Sequence, residues 1–247
     1  LRAGLIGDGI EFETPFGMQR LLYADYVASG RALRQVEGFV AEHVLPFYAN
    51  SHTEASFCGM TMTRMREEAR ATIARLTHAG DGCHVVFTGS GATNGLNRIV
   101  GLLDLHDRVR RGDRVVVLCG PYEHHSNILP WRETGARMVE VAEGPTGGVC
   151  MVDLARALDD AAGADLIVGT FSAASNVTGI LTDTDAVTRA LKAAGAVVIW
   201  DYAGGAPYID IDMGAGDAAK DAVVFSAHKF AGGPGASGVL ILRDGVV

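Results

Sequence analysis

The feature that most constrains this chain is an alternation that begins near residue 84. Short apolar runs at residues 84–87, 114–118, 137–141, 165–169, 197–200 and 222–225 are separated mostly by segments that read as helices. The clearest of these are residues 94–103, 154–162 and 183–194, the last opened by Thr182 with Asp185 three residues on. Strands alternating with helices predict an α/β fold in three layers, a mostly parallel sheet with helices on both faces. In such sheets ligands sit beyond the carboxyl ends of the strands. The residues that follow each run are therefore the place to look for chemistry.

Upstream of residue 84 the pattern is different. An apolar run at 21–27 is broken by Ser29-Gly30, and residues 34–48 carry Val36, Phe39, Val40 and Val44 at helical spacing up to Pro46. Residues 48–59 are polar and turn-rich, as expected at a surface or a site mouth. Met62, Met65, Ala69, Ile73 and Leu76 then mark one face of a second helix, expected to be a core stripe. With no internal repeat or linker, residues 1–247 are expected to be one large domain with an N-terminal segment.

The formal net charge of −8, with no cluster of lysine or arginine, argues against nucleic acid or an anionic membrane surface as partner. No apolar run approaches the roughly 20 residues of a membrane span, and residues 1–20 lack the pattern of a signal peptide. A cytoplasmic protein is expected. Cys58, Cys83, Cys119 and Cys150 stand singly, which speaks against a disulfide framework or a structural zinc site. The absence of an initial methionine, and an end five residues after the apolar run that closes at Leu242, raise the expectation of a fragment.

Each strand end carries a candidate. Ala222 to Phe225 leads to Ser226, His228 and Lys229, and a glycine-rich turn from Gly232 to Gly238 follows. A lysine presented this way is partly desolvated and can form a Schiff base with a carbonyl compound; the same turn also suits a plain hairpin. The loop Thr88-Gly89-Ser90-Gly91-Ala92-Thr93 runs into a helix start, where free N–H groups and the helix dipole favour a phosphate. It is not a P-loop, because no Gly-Lys-Ser/Thr follows, and Asn94 stands where a dinucleotide fingerprint needs its third glycine. Glu123-His124-His125 could suggest a metal, but adjacent histidines point in different directions, so one imidazole stacking on a planar ligand or moving protons fits better. Asn176 could serve a ligand oxygen or an Asx turn. Asp201 closes an otherwise apolar strand and, buried there, needs a cationic or donor partner.

Taken together and in this order, TGSGATNG at 88–95, EHHSNILPW at 123–131, SNVTG at 175–179, Asp201 and SAHK at 226–229 resemble the class V aminotransferase fold of pyridoxal-phosphate enzymes, most closely its cysteine desulfurase and selenocysteine lyase branch. The resemblance implies the large domain of a type I pyridoxal-phosphate transferase, with the C-terminal small domain missing. By the same resemblance Lys229 holds pyridoxal 5'-phosphate as a Schiff base, Asp201 pairs with the pyridine nitrogen, and His124 stacks on the ring. Gly91, Ala92, Thr93, Ser226 and His228 belong with the phosphate, and Asn176 with the phenolic oxygen. Ser29, Asn50 and His52 are candidates near a small amino-acid substrate. No metal is implied, and the full-length form is expected to be a homodimer. Gly204 departs from the pattern, because a glutamine that donates to the phenolic oxygen usually stands there; Tyr202 or water is the substitute to consider. A desulfurase-like C–S lyase is preferred, with a class V aminotransferase and a non-catalytic or nucleotide-binding domain as alternatives.

Overall fold

A computed structural model describes residues 1–51 and 53–246. The chain divides into two compact units, one of Leu1–Thr72 with His228–Ala236, the other of Ile73–Ala227 with Ser237–Val247.

In the first unit, β1 (Glu11–Thr14) and β2 (Gly17–Arg20) form an antiparallel hairpin, its turn tied by Thr14 Oγ1, which accepts from Phe16 N–H and donates to the Gly17 carbonyl. Neither strand is anticipated by the sequence pattern. The helix expected over 34–48 is a mixed path: α1 (Arg34–Phe39), then π-type winding over Val40–Val44 and a 3-10 turn at Leu45–Phe47. Pro46 lies inside that last turn rather than ending the path. None of the apolar face of this path is buried: Val36 at 38% and Phe39 at 51% are exposed, and Val40 and Val44 are half-buried. α2 (Phe57–Leu76) runs across the boundary of the two units. Its expected core stripe is not one: Met62, Met65 and Ile73 are half-buried, while Ala69 and Leu76 are exposed.

The second unit holds the alternation. In chain order come β3 (Cys83–Gly89), α3 (Gly91–Leu102), α4 (Leu105–Arg111), β4 (Val115–Cys119), α5 (Leu129–Arg132), β5 (Arg137–Glu140), α6 (Met151–Asp160), β6 (Leu166–Ser172), α7 (Thr184–Ala193), β7 (Val197–Asp201), β8 (Ala222–Ser226) and β9 (Gly238–Arg243). The seven strands form one sheet in the order β3-β9-β8-β7-β6-β4-β5. β8 to β5 are parallel, and β9 is antiparallel to both β8 and β3.

The two faces follow from strand alternation. Val168, Ile199, Ala222, Val224 and Leu240 share a buried cluster with Ala92, Leu96, Ile99 and Val100 of α3. Gly95 of α3 lets that helix lie close, since a Cβ there would stand 2.8 Å from Val224 Cγ1. The alternate residues face α7: Gly169 lies under Leu191, and Trp200 donates its indole N–H to Thr188 Oγ1 at 2.9 Å. α7 is capped by Asp183, which accepts from Ala186 N–H, one residue later than the cap read at Thr182.

Candidate functional site

The α3 face of the sheet ends in polar residues, because Ser172, Asp201 and Ser226 each stand at an even number of positions beyond residues already on that face. Ser226 is buried, and its Oγ accepts the Ala92 N–H at 2.9 Å. That leaves the Ser226 hydroxyl its own proton to give. The helix start itself is set by Gly91, at φ +68, against which the β9 backbone packs so closely that a Cβ at Gly238 would collide with the Gly91 carbonyl. One residue past Ala92, Thr93 Oγ1 donates to Ser126 Oγ at 3.0 Å. Ser126 in turn meets His124: its Oγ is 2.9 Å from His124 Nδ1, and its backbone N–H donates to the same nitrogen at 3.2 Å. The segments TGSGATNG and EHHSN are thus joined by side chains.

Asp201, in register with Ser172 on β6, is 4% exposed, and its Oδ1 accepts from Ala203 N–H at 2.7 Å. Beside it sits Glu123. Its two carboxylate oxygens accept from Gly120 N–H (3.3 Å), Ser172 N–H (2.8 Å), Ser172 Oγ (2.7 Å) and Asn127 Nδ2 (2.6 Å). Asn127 is oriented by its other end, where Oδ1 accepts from Trp131 Nε1 at 3.1 Å and Thr170 Oγ1 at 2.6 Å. Burial, aided by the Asp201 charge, pushes the Glu123 carboxyl up to about 7, against the pull of its donors. Glu123 therefore fastens the loop after β4, which carries His124, to the end of β6. The metal reading of this Glu-His-His run gives Glu123 no such partners.

Three further positions differ from simple expectation. Tyr202 follows Asp201 and so points to the α7 face, where its hydroxyl bonds Thr184; burial pushes its pKa up to about 12. It is not the substitute donor for the missing glutamine. Gly204 does border Asn176: a Cβ there would lie 3.3 Å from the Ala174 carbonyl and 3.5 Å from Asn176 Cβ. The local turn belongs to Ser175, whose Oγ accepts from Val177 and Thr178 N–H, leaving Asn176 as an exposed residue of that turn.

The remaining candidates lie in the first unit. Lys229 ends the 3-10 turn Ala227–Lys229, three residues beyond Ser226 along the chain. Gly30 holds this segment: its N–H donates to the His228 carbonyl at 3.0 Å, and a Cβ on it would collide with the Phe230 carbonyl. Burial, and then the neighbouring Lys229 charge, holds the His228 imidazole below its usual pKa. Ser29 is exposed, with its Oγ 3.1 Å from Tyr23 Oη, and Asn50 is exposed in an irregular stretch. His52 lies outside the described residues.

The structure bonds Ser226 to Ala92 and, by way of Ser126, Thr93 to His124, with Ala92 and Thr93 consecutive on α3. Sequence reading did not single out Ser126 or assign Glu123 its anchoring part. The signal for either was nearness to His124 in the sequence, Glu123 one residue before it and Ser126 two after.

Comparison with known proteins gives a consistent picture. The description aminotransferase class-V matches residues 22–247. A probable cysteine desulfurase of Pyrococcus abyssi is 29% identical over 91% of this chain and 54% of its own length. Another, from Streptomyces coelicolor, is 30% identical over 90% of this chain and 52% of its own. The chain spans about half the length of these relatives. In fold, the apo cysteine desulfurase of Thermococcus onnurineus NA1 superposes with a TM-score of 0.73 at 23% identity, covering 90% of this chain and 53% of that one.

Proposed function

This chain belongs to the aminotransferase class-V family, and from that premise we propose that residues 1–247 form the cofactor-binding large domain, with its N-terminal segment, of a pyridoxal-phosphate enzyme that breaks the C–S bond of cysteine or a similar small amino acid. The observation that carries this reading is the pairing of two features on one face of the sheet. A buried carboxylate, Asp201, ends β7, and on the neighbouring strand end Ser226 accepts the Ala92 N–H at the start of α3. The names of the curated relatives, cysteine desulfurases, support the choice of chemistry.

The residues present fit the cofactor. The N–H groups at the start of α3, that of Thr93 among them, and the Ser226 hydroxyl proton make a donor-rich set for a phosphate, to which the family resemblance adds His228. Asp201 suits a ring nitrogen that must stay cationic in a buried place. When bound, pyridoxal phosphate supplies an electron sink for the carbanion at the substrate Cα. Lys229 would hold the cofactor and would accept or return the Cα proton. His124 would cover the ring and handle a proton at its imidazole, and Asn176 would serve the phenolic oxygen. Ser29, Asn50 and His52 are proposed near the substrate. In the lyase reaction the Cβ–S bond breaks, sulfur passes to an acceptor thiol as a persulfide, and a proton fills the vacated valence to give alanine. We take the enzyme to work as a homodimer in the cytoplasm; among the described residues no helix is long and apolar enough to cross a membrane.

The test is product analysis on the full-length protein with L-cysteine and a small dithiol as sulfur acceptor. The lyase reading predicts many turnovers to alanine and sulfide with no keto acid added. Arrest after one turnover, relieved by a keto acid, would assign the aminotransferase reaction instead.

A further inference from the structure

The hydrogen bonds around His124 specify more than its position. A neutral imidazole carries one proton, and the nitrogen without it accepts. Here the Ser126 backbone N–H points at Nδ1, so Nδ1 is the acceptor and the proton sits on Nε2. The side chains agree independently. Thr93 Oγ1 donates to Ser126 Oγ, so the one proton of the Ser126 hydroxyl remains for the atom on its other side, which is His124 Nδ1 at 2.9 Å.

The turn that presents Ser126 is itself fixed. Ser126 lies in the 3-10 turn His125–Asn127, with Glu123 bound to the end of β6 on one side and the fully buried Asn127 on the other. Thr93, the third residue of α3, is fixed by the helix, and its carbonyl accepts from Asn97 Nδ2 at 2.8 Å. The three groups are therefore held by two different elements, each anchored elsewhere.

We propose that Ser126, backed by Thr93, is a positioning residue that locks His124 in the Nε2–H tautomer. With the Nδ1 lone pair engaged, the ring gives or takes a proton only at Nε2. The functional part of this, that Nε2 is the nitrogen facing the reacting molecule, rests on the reading of His124 given above. The tautomer itself does not.

The experiment reads the tautomer directly in the cofactor-free protein. Two-bond 1H–15N correlation spectra of histidine-labelled protein, at a pH where the ring is neutral, should show His124 as a single Nε2–H form, with Nδ1 at the shift of an unprotonated ring nitrogen. Ser126→Ala should lose that single-form pattern, with Nδ1–H appearing alongside, and Thr93→Val should do so to a smaller degree. Ser126→Thr, which keeps the hydroxyl, should restore it. An Nδ1–H ring in the unmodified protein, or a Ser126→Ala spectrum identical to it, would overturn the proposal. Because no cofactor is present, a failure of the pyridoxal-phosphate reading leaves this result separately readable.

Discussion

The two units bury their residues in opposite ways. In the sheet unit the large side chains are inside: Trp131, Trp200, Phe171, Leu96, Ile99 and Leu191 are fully buried. In the unit of residues 1–72 and 228–236, Leu33 is the only non-glycine buried among the described residues, beside Gly4, Gly30, Gly59 and Gly233. Its large apolar side chains face outward, Phe16 at 90% and Leu22 at 88% exposure. One unit is held by side-chain volume; in the other, the close approach at Gly30 is backbone packed on backbone. The lysine on which the proposed chemistry depends belongs to the second kind of structure.

This contrast is open to direct attack by mutation. Trp200→Ala removes a fully buried indole together with its bond to Thr188, and should cost about 3–5 kcal/mol in a urea unfolding titration. Gly30→Ala should cost about 1–3 kcal/mol, because the added methyl meets the backbone of Lys229 and Phe230 rather than an empty space. A Gly30→Ala protein as stable as the parent would show that this backbone contact is not tight in solution.

Glu123→Gln probes the sheet unit at its polar end. The Gln amide would set a donor against Asn127 Nδ2, which cannot turn round while Trp131 and Thr170 hold its oxygen, so a loss of about 1–3 kcal/mol is expected. The pH dependence has a definite sign. A carboxyl raised in the folded state from 4.5 to about 7 contributes stability that is complete below its ordinary pKa and is lost as pH rises through about 7. The parent's advantage over Glu123→Gln should therefore shrink between those values. An advantage that grows with pH would mean that the four donors outweigh burial. At the small end, Leu22→Ser should change stability by no more than about 0.5 kcal/mol, and a larger loss would show that this exposed leucine is covered in solution.

How far the sequence carried the argument also divides along these lines. Residues 114–118, 165–169, 197–200 and 222–225 fall within one to three residues of β4, β6, β7 and β8, because strands buried on both faces are apolar throughout and leave a plain mark. The hairpin of residues 11–20 left none: EFETPFGMQR has a proline at its turn and no buried face to impose alternation. Residues 34–48 show helical periodicity yet wind in three different ways, since nothing buried enforces one pitch. Within the candidate site, Asp201 and Ser226 were legible as polar residues closing apolar strands. Glu123 was not, because its meaning depends on Ser172, 49 residues further on. Tyr202, weighed with water as a stand-in for the glutamine, is one residue beyond Asp201 and so takes the opposite face of the sheet, where it bonds Thr184.

The central claim is that Lys229 is the residue that captures pyridoxal phosphate. Incubation of the protein with the cofactor, reduction with borohydride and peptide mass mapping test it in one step. The account predicts a pyridoxyl group on Lys229 and none on Lys192 or Lys220, which are held by Asp221 and Asp185. Label on either of those lysines in place of Lys229, or no label at all, would contradict it.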